Sequence, residues 1–193
     1  KVTYMYNPLT IRCEHPSSCD SKIVIAVGRL DYQKGYDYLL QIWSLVHKKH
    51  PDWILNIYGD GTLLNTLNEQ ISNLGLSETV FLRGKTDNIV SKYTESSLFV
   101  LTSRDEAFGL VITEAEACGL PIITYDCPSA PAELVNDGEN GYVISPVGNI
   151  DEFADKVCYL IEHADLRKKM AKKSLDIAEC FQINDIIRQW VNL

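Results

Sequence analysis

Short apolar runs alternate with longer stretches of helical period along this chain. Residues 23–27, 53–58, 80–82, 98–101, 121–125 and 142–144 are compact and apolar, with little polar alternation. That is the pattern of parallel strands buried on both faces. Between them lie amphipathic segments. Residues 36–50 place Leu39, Leu40, Trp43 and Val46 on one face. Residues 63–74 stop at Gly75, residues 88–93 form a short helix, and 110–118 stop at Gly119 and Pro121. A further helix begins at Pro131 and holds Glu133, after which 136–141 (NDGENG) form a turn. The tail is helical over 150–161, 165–178 and 181–193, the last with Ile183, Ile186, Ile187, Trp190 and Val191 on its apolar side. The fold expected is α/β: a Rossmann-like, doubly wound, six-stranded parallel sheet with extra C-terminal helices. Residues 1–21 carry the breakers Asn7-Pro8, His15-Pro16 and Ser17-Ser18 and read as a linker or hinge, with 1–6 a candidate strand lacking a partner. Residues 22–180 form the domain, and 181–193 a final helix.

Open parallel sheets bind ligands at the carboxyl ends of their strands. Here those ends are rich in glycine, at Gly28, Gly59, Gly61, Gly84 and Gly109, where backbone must approach a ligand closely. The stretch from Ser103 to Ala117 carries the most chemistry. Glu106 falls on a strand-to-helix loop, Gly109 opens the helix, and Glu114 lies one to two turns inside it. Bare N–H groups at such a start attract an anion, and carboxylates accept bonds from hydroxyls. A ligand with both sugar and phosphate would fit. Arg29 and Lys34, on the loop after the first strand, could clamp a diphosphate; the plain alternative is two solvated charges. Glu106 and Glu114 could also be a hydrolase pair, but a helix start favours the ionised carboxylate, so hydroxyl recognition fits better. Glu116, two residues on from Glu114, is expected in solvent. Glu133 could cap its helix or bind ligand. Arg83 and Lys85 could border a nucleobase or be exposed cations. Gly59-Asp60-Gly61 is a weak dinucleotide fingerprint, since Leu64 occupies the third glycine's place.

Composition narrows the classes. The 193 residues carry a formal charge of −8, which argues against tracking along nucleic acid. No apolar run reaches the roughly 20 residues of a bilayer span, and no signal pattern opens the chain. The six cysteines are scattered, several in core elements, as expected of reduced thiols in a cytoplasmic protein. Cys13, Glu14, His15 and Cys19 lack the second pair of a structural zinc site, and the four histidines suit neither a triad nor a metal cluster.

The ordered motifs Gly28-Arg29-Leu30…Lys34-Gly35, Tyr58-Gly59-Asp60-Gly61, Ser103…Glu106-Ala-Phe-Gly109…Glu114…Gly119-Leu120-Pro121 and Pro131…Glu133…Asp137-Gly138…Asn140-Gly141 resemble the retaining nucleotide-sugar glycosyltransferases of family 4, with the GT-B fold. The likeness covers about residues 20–190 and is greatest to bacterial capsular and exopolysaccharide transferases. It implies that this chain is the C-terminal, donor-binding half of a GT-B fold. By the resemblance, Arg29 and Lys34 hold the donor diphosphate, Glu106 meets sugar hydroxyls, and Phe108, Gly109 and Leu110 seat sugar and phosphate. Glu114 binds the ribose, and Gly28 and Arg83-Gly84-Lys85 border the donor. No cofactor or metal is implied. The partners implied are a nucleoside-diphosphate sugar, with uridine the family-level choice of base, and a glycan or lipid-linked acceptor held by an N-terminal domain that the last helix would reach. Peripheral association with the inner face of the membrane is a further expectation for the intact protein, and this chain alone is expected to transfer little or nothing. Ala107, Thr62 and Ala130 depart from the glycine, proline and glycine common at those places. A nucleotide-sugar epimerase of similar fold and a non-catalytic nucleotide-binding module are the rival readings.

Overall fold

The computed structural model describes residues 7–128 and 131–191. Six strands, β1 (Ile23–Val27), β2 (Ile54–Tyr58), β3 (Val80–Gly84), β4 (Leu98–Leu101), β5 (Ile122–Tyr125) and β6 (Gly141–Ile144), form one sheet in the order β3-β2-β1-β4-β5-β6. Every pairing is parallel. The order reverses between β1 and β4, and the crevice of a doubly wound sheet opens at such a switch point. Helices α1 (Tyr36–Lys49), α2 (Leu64–Asn73), α3 (Ile89–Thr94), α4 (Leu110–Ala117), α5 (Pro131–Leu134), α6 (Ile150–Glu162), α7 (Ala164–Ala178) and α8 (Ile183–Val191) cover both faces. The expected architecture is the one present, with boundaries shifted by one or two residues. The candidate strand at 1–6 lies outside the described residues.

Strand alternation splits the core in two. Val24, Ala26, Leu98 and Val100 face the layer of α1 and α6, with Leu39, Trp43, Phe153 and Val157. Ile25, Phe99 and Leu101 face the layer of α4 and α7, with Ile112, Ala115 and Ala171. Because both faces are buried, β4 and β5 have no exposed residue, which is why their sequences are apolar but for the buried Thr124.

Residues 7–21, irregular as expected, are not loose. Leu9 N–H donates to the Phe181 carbonyl at 2.8 Å, and Cys19 Sγ to the Gly119 carbonyl at 3.4 Å. Arg167 of α7, one of five cations the sequence puts in one basic run, is buried: it donates to the carbonyls of Cys19, Leu160 and Ile161, tying this segment to the end of α6. At the other end, Ile186 of α8 is buried while Ile183 and Ile187 are each 51% exposed. The side chains of Trp190 and Val191 lie outside those described.

Glu116 corrects an expectation. Far from facing solvent, it is 0% exposed and accepts from Asn140 Nδ2 at 2.8 Å through Oε1, while Oε2 has no partner. α4 is buried on nearly all sides, so spacing from Glu114 did not put it in water. Burial pushes its carboxyl well above the usual range, against the Asn140 bond. The folded state then binds more protons than the unfolded one, and stability falls as pH rises above the ordinary carboxylate pKa. Glu116→Gln is expected to remove that fall; denaturation midpoints at several pH values, on both proteins, would show whether it does.

Candidate functional site

The loops that leave β1, β2 and β4 meet at the switch point, and glycine lets them touch. A Cβ on Gly35 would stand 2.1 Å from the Thr102 carbonyl oxygen; one on Gly59 would stand 1.9 Å from that of Gly28. Both glycines have positive φ, 63° and 143°. Thr102 Oγ1 donates to the carbonyls of Lys34 and Gly35, at 3.2 and 3.0 Å. The loop after β1 is thereby fixed against the loop after β4.

An ion pair joins them. Lys34 Nζ lies 2.5 Å from Glu106 Oε1, and both side chains are nearly buried. Ser103 Oγ donates to the same oxygen at 2.6 Å. Gly109 (φ 78°) caps the start of α4 without a side-chain cap bond, so the N–H groups of the first turn point out at the helix's positive end. Gly28, Arg29, Lys34, Glu106, Phe108, Gly109 and Leu110 line a hollow of about 430 Å³. Arg29 is 75% exposed and rests on Asp31 at 3.3 Å, on the rim.

Gly28 and Arg29 also line a second hollow, of about 400 Å³, with Gly59, Asp60, Gly84, Lys85 and Glu114. Glu114 forms its wall between α4 and α3. Its carboxylate accepts from Tyr93 OH at 3.1 Å and from Thr10 Oγ1 at 3.3 Å. Burial raises its pKa, and those two bonds oppose the rise. Lys85 leans on Asp60 at 3.5 Å.

The structure thus brings the sequence candidates to a pair of joined hollows, Arg83 and Glu133 excepted. Arg83 lines neither hollow. Strand alternation turns it off the crevice: its Nε donates to Asn56 Oδ1 at 2.8 Å, and its guanidinium lies 4.4 Å over the Phe81 ring. Glu133 is exposed and lies outside both linings, and Ala130 falls outside the described residues. His50, on no crevice lining, meets Glu162 through its Nε2 at 3.0 Å. Among the described residues no cluster of three or more His, Cys, Asp or Glu is placed to hold a metal, and no helix is long and apolar enough to cross a membrane. Tyr93 and Thr10, which hold Glu114, were not singled out from the sequence. Nothing local marks them, because they come from distant segments.

Comparison with known proteins decides the family. The sequence model of "Glycosyl transferases group 1" matches residues 10–176. The chain belongs to that family. It is 34% identical over 185 residues to an uncharacterized glycosyltransferase of Haemophilus influenzae, covering 95% of this chain and 52% of that protein. It is 32% identical over 166 residues to the poly(glycerol-phosphate) alpha-glucosyltransferase of Bacillus subtilis, covering 86% and 24%. Among solved structures, a mutant of S. aureus TarM in complex with fondaparinux, alpha-GlcNAc-glycerol and UDP superposes with a TM-score of 0.88 at 28% identity, over 97% of this chain and 38% of that one. Anabaena HepE in complex with UDP and glucose gives 0.86 at 26%, over 100% and 55%. The fold is that of the GT-B glycosyltransferases. The chain spans about half or less of the length of these relatives.

The junction of the two loops depends on the backbone contact at Gly35. Gly35→Ala meets the Thr102 carbonyl and an unfavourable φ together, and is expected to destabilise the fold by at least about 2 kcal/mol. Chemical denaturation would measure it; an unchanged midpoint would show that the two loops are not in such contact.

Proposed function

We propose that the chain is the donor-binding half of a glycosyltransferase that moves a sugar from a nucleoside-diphosphate sugar to a glycan or lipid-linked acceptor. The acceptor would sit on a further domain of the intact protein, reached by α8. The observation that carries this reading is the Lys34–Glu106 pair at the start of α4, with Glu114 in the adjoining hollow. Lys34, Arg29 and the N–H groups at Gly109 and Leu110 would take the diphosphate. Glu106 would turn from Lys34 toward sugar hydroxyls, Glu114 would accept the ribose hydroxyls, and the base would lie toward Gly84 and Lys85. UDP in solved relatives supports a uridine donor. Relatives named as poly(glycerol-phosphate) and poly(ribitol-phosphate) glycosyltransferases and as an exopolysaccharide phosphotransferase support a polymer acceptor. Retention of the anomeric configuration is proposed on the family resemblance.

As the glycosidic bond breaks, negative charge gathers on the departing diphosphate. A buried cation and fixed N–H dipoles stabilise that charge without reorganising. They do here what a divalent metal does in other transferases, so none is required on this reading.

Lys34→Ala removes a charge-assisted bond worth roughly 1.5–3 kcal/mol, which is about ten- to a hundredfold in UDP affinity. Calorimetry on the variant, with Glu106→Gln beside it as a folding control, is the test; UDP binding as tight as in the unaltered protein would remove Lys34 from the site. Affinity should also depend on pH. Glu114 accepts hydroxyls most strongly when ionised, and its pKa is raised, so uridine nucleotides are expected to bind more weakly as pH falls through that raised value. In Glu114→Gln the pH dependence should flatten, and a slope that persists would assign it to another group.

A further inference from the structure

Neither the family match nor the donor reading uses Arg104. The sequence places it one residue past Ser103, on a loop, where an arginine is ordinarily solvated. The structure places it differently. Its Nη1 and Nη2 make a two-pronged bond to Asp37 Oδ1 and Oδ2, at 2.9 and 2.7 Å. Nη1 also donates to the Tyr32 carbonyl at 2.7 Å. The guanidinium is stacked between two rings, 4.0 Å from the Tyr32 centroid and 4.1 Å from that of Tyr38. Its backbone N–H donates to the Gln33 carbonyl at 2.7 Å, and Gln33 Nε2 returns a bond to the Asp105 carbonyl at 2.9 Å.

These bonds bracket the Lys34–Glu106 pair. Tyr32 and Gln33 precede Lys34 in a 3-10 turn, and Asp37 lies in the first turn of α1 just after it. Arg104 and Asp105 precede Glu106. The planar fork of one arginine therefore spans from the Glu106 loop to both sides of Lys34. A lysine could match neither the fork nor the double stack. Burial raises the Asp37 carboxyl, but the bonds and charge of Arg104 outweigh it and hold it below the ordinary carboxylate range.

We propose that Arg104 is a positioning residue for the donor diphosphate: clamped to Asp37 between two tyrosines, it fixes the Lys34 loop on the Glu106 loop before the ligand arrives. This rests on the donor-binding reading above. Arg104 does not touch the ligand. It acts through Lys34, so its loss should weaken the grip on phosphates and leave the nucleoside end alone.

The test titrates the intact protein with UDP and with uridine. Arg104→Ala is expected to bind UDP about tenfold more weakly, with uridine affinity unchanged within about twofold. Added guanidinium ion should restore much of the UDP affinity by filling the slot between the rings, whereas methylammonium should not. In a Lys34→Ala background the Arg104→Ala change should cost little further, because the group it positions is gone. Should Arg104→Ala fail to fold, Arg104→Lys and Asp37→Asn are expected to show the same phosphate-selective loss. Equal losses for UDP and uridine, or full additivity with Lys34→Ala, would overturn the assignment. If the unaltered protein binds no UDP at all, the donor reading falls and this inference with it. If it binds UDP and every Arg104 variant does so equally, only the inference falls.

Discussion

One constraint governs the site: a lysine and a glutamate, both nearly out of water, must be held together at the start of α4. Taking two charges from water is costly, and their attraction offsets this only when the geometry is good and other polar partners are supplied. The fold supplies them from unconnected parts of the chain. Thr102 bonds the backbone around Lys34, Ser103 bonds Glu106, and glycines at 35 and 59 let the backbones close. None of this would meet without parallel order. Only a sheet that reverses between β1 and β4 puts these two loops side by side.

The same pair balances charge within the crevice. Glu106 balances Lys34 until another anion displaces it, so on the proposed reading the diphosphate exchanges one carboxylate partner for phosphate oxygens. The cation is then never left unpaired. Glu114 sits in the other hollow, held from two sides by Tyr93 and Thr10. On the proposed reading, phosphates and sugar belong to the β1–β4 loops and the nucleoside to the β2–β3 ends; Gly28 and Arg29 border both hollows.

Much of this was legible in the sequence, for physical reasons. Strands of a sheet covered on both faces are mostly apolar, with only Asn56, Arg83 and Thr124 breaking the runs, so all six could be read. Residues at their carboxyl ends converge by topology, so Lys34, Glu106, Gly109 and Glu114 could be placed in one crevice without coordinates. What escaped depends on side-chain direction or on distant contacts. Arg83 stands at a strand end, yet pleating turns it onto Asn56. Glu116 follows Glu114 by two, yet the open face of α4 runs through Leu110, Glu114 and Ala117, and Glu116 lies on the packed side. Residues 7–21 lack periodicity, and irregular backbone reads as loose although Leu9 and Cys19 are buried. Arg104 and Asp37 are 67 positions apart, and only the folded chain pairs them.

Charge alone does not choose the site. Lys169, Lys172 and Lys173 line a separate hollow of about 320 Å³ on α7, together with Glu139 and Asp176. A structure of the intact protein with bound UDP separates the two. The expected result is a diphosphate between Lys34 and the first N–H groups of α4, with the ribose on Glu114 and Glu106 released from Lys34. UDP on the α7 lysines, with the Lys34–Glu106 pair undisturbed, would contradict the account.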